Sequence, residues 1–150
     1  MPIKIFICQD PPRRDGNSPS GDLVVPDSLG GAPVTRIERY VRCPCGNSGL
    51  GSVTFPDSLR VINEGNFSRC NDLTNVVFGT GLESIGDAFS ECWEISSFTI
   101  PEGNPNFSAE GCLLYSKDKK TLVKCGLEVE DFEVPSFVTA IGAAAFNSKL

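Results

Sequence analysis

The sequence predicts a β-rich solenoid built from tandem repeats, and internal similarity is the reason. Two segments begin alike at Val53 and Val76, and each continues into a Phe-Ser-x-Cys sequence, at 67–70 and 89–92. Similar starts occur at three other places: Leu23, Phe98 and Phe132. The clearest starts lie about 22–23 residues apart, a period that indicates single coils stacked on one another.

Each repeat is interpreted as one coil with two short strands and a short or irregular helical return. Residues 50–55 alternate apolar and polar side chains, which predicts a strand, and Pro56 ends it because proline has no N–H to donate. Residues 59–62 are a second short apolar run, and 67–70 return the chain to the interior. One coil cannot bury these side chains alone, so stacking with parallel strands about 4.8 Å apart is expected.

The predicted solenoid occupies residues 23–150 in about five coils, after an N-terminal strand or cap segment at 1–22. An insertion at 30–34 lengthens the first coil. A second insertion, at about 104–126, contains two apolar runs around a polar turn, which predicts a β-hairpin. The last coil stops at Leu150 before a following strand, which indicates a longer array or an incompletely capped end.

Composition excludes several function classes. The formal net charge of -6 disfavours contact with nucleic acid or an anionic membrane surface. No apolar run approaches the ~20 residues that span a bilayer, so membrane insertion is not expected. The chain has no histidine, the commonest general base and metal ligand. No cofactor is predicted.

The sequence resembles the BspA-type leucine-rich repeats of surface proteins from oral and gut bacteria and some parasitic protists. The matching motifs are residues 31–35, 55–59, 67–73, 84–95, 115–122 and 140–146, within a resemblance that covers roughly 23–150. There are departures: residues 40–49 lack the Ala-Phe pair, Gly79 replaces the usual proline, and the final coil lacks the cysteine.

The resemblance implies a right-handed leucine-rich-repeat superhelix with short parallel strands on one face. It also implies adhesion or protein binding, with a host extracellular protein among the expected partners, and no catalytic residues. A cell-surface or secreted location follows from the resemblance alone. Residues 3–8 are shorter than a signal-peptide core of about 7–15 residues, so no signal peptide is visible and a cytoplasmic location stays open.

Seven cysteines leave alternatives open. Cys70 and Cys92 occupy equivalent repeat positions, and a stacked column of small buried thiols is favoured over a disulfide. Cys112 and Cys125 flank the predicted hairpin and are expected to face each other, with a cross-strand disulfide only in an oxidising compartment.

Cys43-Pro44-Cys45 is the unusual local feature. A structural metal site needs four ligands, and Cys8 is the other cysteine nearby in sequence, so Cys43 and Cys45 are weak metal candidates. A disulfide or unpaired loop thiols are favoured instead.

The outward residues of the first strand of each coil are the candidate binding site. They are Ser52, Thr54, Asn75, Val77, Ser97, Thr99, Asp131 and Glu133. Small uncharged groups dominate, with acid at one end, and solenoids use such extended surfaces to bind proteins. The acidic run at 128–133 is interpreted as a solvated face rather than a catalytic pair.

The sequence therefore predicts a non-catalytic binding module for a protein or a glycan. The alternative is a structural spacer from a longer surface array with no ligand of its own.

Overall fold

The structure, a computed structural model, describes residues 21–38, 49–127 and 132–146. Within these ranges it has strands and turns and no helix, and so no helix that could cross a membrane. The strands in chain order are β1 (Gly21–Val24), β2 (Ser28–Leu29), β3 (Ala32–Pro33), β4 (Arg36–Ile37), β5 (Leu50–Thr54), β6 (Val61–Ile62), β7 (Asn75–Val77), β8 (Ser84–Ile85), β9 (Ser97–Thr99), β10 (Phe107–Glu110), β11 (Leu113–Ser116), β12 (Thr121–Cys125) and β13 (Ala140–Ile141).

The main sheet is parallel and has the order β1-β5-β7-β9. Its register aligns Val53 with Val76 and Val76 with Phe98, and all three side chains are buried. The residues between them point to the opposite side, because successive side chains of a strand alternate between faces. The predicted solenoid with short parallel strands is confirmed.

The second apolar run of each coil forms its own parallel sheet, with the order β4-β6-β8. Ile37 pairs with Ile62, and Ile62 pairs with Ile85, so these isoleucines form a column beside the main sheet. Ile37 and Ile62 are fully buried. Each of the first three coils therefore contributes one strand to each of the two sheets, whereas the fourth contributes β9 to the main sheet alone.

Phenylalanines fill the space inside the coils. Phe55 stacks on Phe78 with ring centroids 5.5 Å apart, and Phe78 stacks on Phe98 at 6.2 Å. Phe67 and Phe89 form a second stack at 5.5 Å. Burying each such ring contributes about 1.5–3 kcal/mol. Because each ring depends on neighbouring coils for cover, stability comes from stacking rather than from any coil alone.

Irregular returns or single helical turns were expected, and the structure shows irregular turns. Phe67, Arg69 and Glu91 adopt the left-handed conformation, with φ of 54°, 63° and 58°. This conformation is sterically unfavourable for residues with a side chain, so packing must hold it in place. The Phe67 side chain is buried in the core. Arg69 and Glu91 form an ion pair with each other, with Nε and Oε2 2.9 Å apart.

The predicted β-hairpin insertion is confirmed, but it contains one more strand than predicted. β11 and β12 pair antiparallel, as expected, and β10 adds a third antiparallel strand. β12 then pairs in parallel with β13 of the last coil. A separate small core of Tyr115, Leu122 and Ala145 forms here.

The main sheet does not continue into the last coil as predicted. Residues 132–135 contain no strand, and the described part of this coil contributes β13 to the hairpin sheet instead. The physical reason lies at the edge of β9, where the Phe98 N–H donates to the Gly111 carbonyl at 2.8 Å. The hairpin thus occupies an edge on which a further parallel strand would pair.

Asn104 connects the hairpin to the coil below it, a role that no sequence motif predicted. Its side-chain N–H groups donate to the Thr80 and Leu82 carbonyls, both at 3.0 Å. Its Oδ1 accepts from the backbone N–H groups of Asn106 and Phe107, both at 2.8 Å. The amide is fully buried and uses all its hydrogen-bonding capacity.

Candidate binding surface

Six of the predicted site residues lie together on the outward side of the main sheet, which we call the strand face. The parallel register aligns Ser52, Asn75 and Ser97 in one row. It aligns Thr54, Val77 and Thr99 in a second row two residues further along each strand. The sequence prediction therefore placed these six side chains correctly relative to the core.

β1 extends both rows, which the sequence analysis did not include. Asp22 pairs with Ser52, and Val24 pairs with Thr54. The alternation of side chains around Leu23 could have identified Asp22 and Val24, but the insertion in the first coil obscured the repeat there. The first row is then Asp22, Ser52, Asn75 and Ser97, and the second row is Val24, Thr54, Val77 and Thr99.

The two rows differ in chemistry. In the first row, the Ser52 hydroxyl donates to Asp22 Oδ1 at 2.6 Å, and the Asn75 amide donates to Thr74 Oγ1 at 3.2 Å. The second row consists of β-branched side chains, and Val24 at its end is 68% exposed. The strand face therefore presents a polar strip beside a strip of methyl and hydroxyl groups.

One of the other two predicted site residues, Glu133, does not join the strand face. Glu133 is exposed, but it lies in the segment that forms no strand with the main sheet. Asp131 lies outside the described residues, with Glu128 and Glu130 of the same acidic run. Among the described residues, the acid in the two rows is Asp22, at the end of the sheet opposite to the acidic end expected.

Exposed acids border the strand face on both sides. At the carboxyl ends of the strands, Asp27, Asp57 and Glu102 occupy equivalent positions three residues beyond the second row. At the amino ends, Asp72 and Glu94 occupy equivalent positions three residues before the first row. We call these two groups the carboxyl-side acids and the amino-side acids.

Asp57 remains ionised over a wide pH range. The Thr80 backbone N–H donates to its Oδ1 at 2.7 Å, and this hydrogen bond is the main cause that lowers the pKa of Asp57 below its usual 3.8. The Thr80 hydroxyl and the charge of Arg60 lower it further. This carboxylate both links adjacent coils and contributes negative charge to the border.

Four cysteines lie among the described residues: Cys70, Cys92, Cys112 and Cys125. Cys70 and Cys92 are buried, as the favoured column of thiols requires, and contact with Cys70 is the main cause that lowers the pKa of Cys92. The backbone of Cys125 pairs across the hairpin with Leu113, and its thiol lies within hydrogen-bonding contact of Cys112, so the two cysteines do meet across the hairpin. Burial raises the pKa of Cys125.

A cleft of about 320 Å³ lies between the second sheet and β13, and Lys124 lines it. The Lys124 ammonium donates to the Ala144 carbonyl at 3.0 Å and lies 3.6 Å from Asp87 Oδ1. Desolvation lowers the pKa of Lys124, against the opposing effect of Asp87. This lysine stabilises the junction between the hairpin and the coils.

Metal binding finds no support in residues 21–38, 49–127 and 132–146, where no three acids or cysteines form a group able to hold an ion. The weak candidates Cys43 and Cys45 lie outside these ranges, as does Cys8.

Comparisons with known proteins were consistent with the repeat architecture. The family model for the BspA type leucine rich repeat region matches residues 35–149 in six copies. No curated protein matches the chain. Among solved structures, a leucine rich cell surface protein from Faecalibacterium prausnitzii A2-165 is similar to it at 15% sequence identity. That similarity covers 83% of this chain and 66% of the other, with a TM-score of 0.35.

Proposed function

We propose that this chain, which belongs to the BspA-type leucine-rich repeat family, is a non-catalytic binding module that docks a partner protein on its strand face. The observation that carries the proposal is the alignment of two rows of side chains over four strands. An extended surface assembled from equivalent positions is how solenoids bind proteins. A cell-surface or secreted location and a host extracellular partner are part of this proposal, by family resemblance.

The chemistry of the strand face favours a protein over a glycan. Its described side chains are hydroxyls, an amide, valine methyl groups and one carboxylate. The aromatic rings of the same strands and their ends, at Phe55, Phe78 and Phe98, are buried in the core and unavailable to a ligand. A flat mixture of methyl and hydroxyl groups instead suits a flat protein surface, where apolar and polar contacts alternate.

The size of the face limits the expected affinity. Four parallel strands span only about 14 Å across the sheet, at about 4.8 Å per neighbouring pair. The contact area is therefore below the roughly 800 Å² per partner of a stable interface. We expect micromolar binding by this chain alone, with tighter attachment where several copies act together.

The test replaces Asn75 and Thr99 with lysine and measures binding to an array of immobilised extracellular-matrix and serum proteins. Both side chains are exposed on neighbouring strands, so the Asn75→Lys, Thr99→Lys variant should fold and lose binding at least tenfold. The matched control is Val61→Lys, Ser84→Lys, which adds the same charge to neighbouring strands of the second sheet.

Equal retention of binding by both variants would show that the partner docks elsewhere. Equal loss with a lowered melting temperature would indicate unfolding, in which case Asn75→Ala, Thr99→Ala would replace the lysine variant as the test.

The spacer alternative is supported by an apolar edge at the last described coil. Phe137, Ile141 and Phe146 are 47%, 50% and 38% exposed there. An edge of this kind can be covered by another coil of the same type. A spacer predicts that the unmodified chain retains no protein of the array, whereas the binding proposal predicts retention that depends on the strand face.

A further inference from the structure

We infer that the partner of the strand face is a protein segment that carries lysine and arginine on both sides of an uncharged middle. The inference rests on the proposed function and adds the chemistry of the partner. Its basis is the border of the strand face, where acids occupy equivalent positions of several coils. They are Asp27, Asp57 and Glu102 on the carboxyl side, where the coil between the last two has Thr80, and Asp72 and Glu94 on the amino side. All five residues are exposed.

The border acids differ in their partners from five other acids of the described ranges, which form ion pairs. The ion pairs within the described ranges join Arg36 to Glu38, Arg60 to Glu83, Arg69 to Glu91, Lys119 to Glu110 and Lys124 to Asp87. None of these pairs involves a border acid. Two cations do approach the carboxyl side: Arg60 influences Asp57, and Lys117 donates to the Glu102 backbone carbonyl rather than to its carboxylate.

The arrangement of the acids also distinguishes a basic polypeptide from a metal ion. A divalent cation needs several oxygens converging on one point. The border acids instead follow two lines, one at each end of the strands, and no group among the described residues could hold an ion. Charge spread along two lines is complementary to cationic side chains spread along a polypeptide.

The geometry also sets the spacing of the partner's cations. Asp72 precedes β7 by three residues, and Thr80, the equivalent of Asp57 and Glu102, follows it by three. Eight residue steps span at most about 26 Å of extended chain. A partner segment lying along the strands should therefore place its two basic clusters up to about 26 Å apart, on either side of small or apolar residues over the second row.

The test selects binders for the whole chain from a displayed library of random peptides with balanced charge, at low salt. Enriched peptides should have a net positive charge with basic residues at both ends. The variant Glu94→Lys, Glu102→Lys reverses one acid on each side, and it should weaken the selected peptides about tenfold, since each exposed pair contributes a few-fold. The difference should shrink in high salt because exposed charges are screened.

The matched control is Glu83→Lys, Glu91→Lys, which makes the same charge change at exposed residues away from the strand face. It should weaken binding less than twofold. If peptides bind the strand face, as shown by loss with Asn75→Lys, Thr99→Lys, yet are neutral or acidic, the charge inference is overturned and the proposed function stands. If binding survives both strand-face and border variants, the proposed function fails as well.

Discussion

The two cores of the molecule are covered by their neighbours to different degrees. In the regular coils between β1 and β9, buried rings stack on equivalent rings of adjacent coils, and Phe78 lies between two of them, Phe55 and Phe98. In the hairpin and last coil, the second core has three fully buried residues, and Phe137 and Phe146 around it are partly exposed. Regular repetition supplies side chains with matching neighbours in adjacent coils, whereas an insertion must build its own contacts.

The largest expected effect separates these two cores. Phe78→Ala should destabilise the regular coils by about 3–5 kcal/mol, because it opens a cavity in the middle of a stack. Leu122→Ala, in the second core, should cost nearer the lower end of the range of about 2–5 kcal/mol, since a partly exposed core can collapse around the change. Urea unfolding of both variants measures the difference, and equal losses would contradict the contrast.

Regularity also decided what the sequence could predict. The inward positions Val53 and Val76 and the outward rows followed from a period repeated with little change. The edge beyond β9 could not be predicted in this way. The Gly111 carbonyl reaches the Phe98 N–H only after the insertion has folded back on itself, and no local pattern encodes that long-range contact.

For the candidate site, too, the prediction succeeded in the regular coils and failed beyond β9. Six of its members lie on strands whose register the repeat specifies, while Glu133 was assigned to a strand that the hairpin prevents. The border acids escaped notice because each is an ordinary exposed acid in sequence. Their alignment appears only when the coils are stacked in register.

The second prediction concerns the junction between the two regions. Asn104→Ala should cost about 2–3 kcal/mol, because the Thr80 carbonyl loses this donor, the Leu82 carbonyl keeps only Asn106, and two backbone N–H groups lose their acceptor. The control is Asn106→Ala, which removes one hydrogen bond, from the side chain of an exposed residue to the Leu82 carbonyl. It should lower the free energy of unfolding by about 0.5–1 kcal/mol. Hydrogen exchange should show that Asn104→Ala opens β10–β12 before the main sheet. Simultaneous opening of both would mean that Asn104 does not define the boundary.

The smallest expected effect is a pH dependence at Lys124, which crosses the same boundary from the hairpin to Asp87 of the third coil. Burial lowers the pKa of this lysine below its usual 10.5, against the attraction of Asp87 and of the Cys92 and Cys125 thiols when ionised. Below the lowered pKa, the folded protein carries the full cost of a buried charge. As pH rises through that value towards 10.5, the folded chain releases a proton that the unfolded chain still binds, so stability increases.

Lys124→Met removes this dependence while keeping a side chain of similar length. The free energy of unfolding of the native protein should rise relative to that of the variant as the pH approaches 10.5. The difference between the two proteins reports Lys124 together with its effect on the Cys92 and Cys125 thiols, whose pKa values the lysine charge lowers. A difference that stays constant with pH would mean that the ion pair with Asp87 offsets the desolvation, and that the junction holds a charged lysine at no net cost.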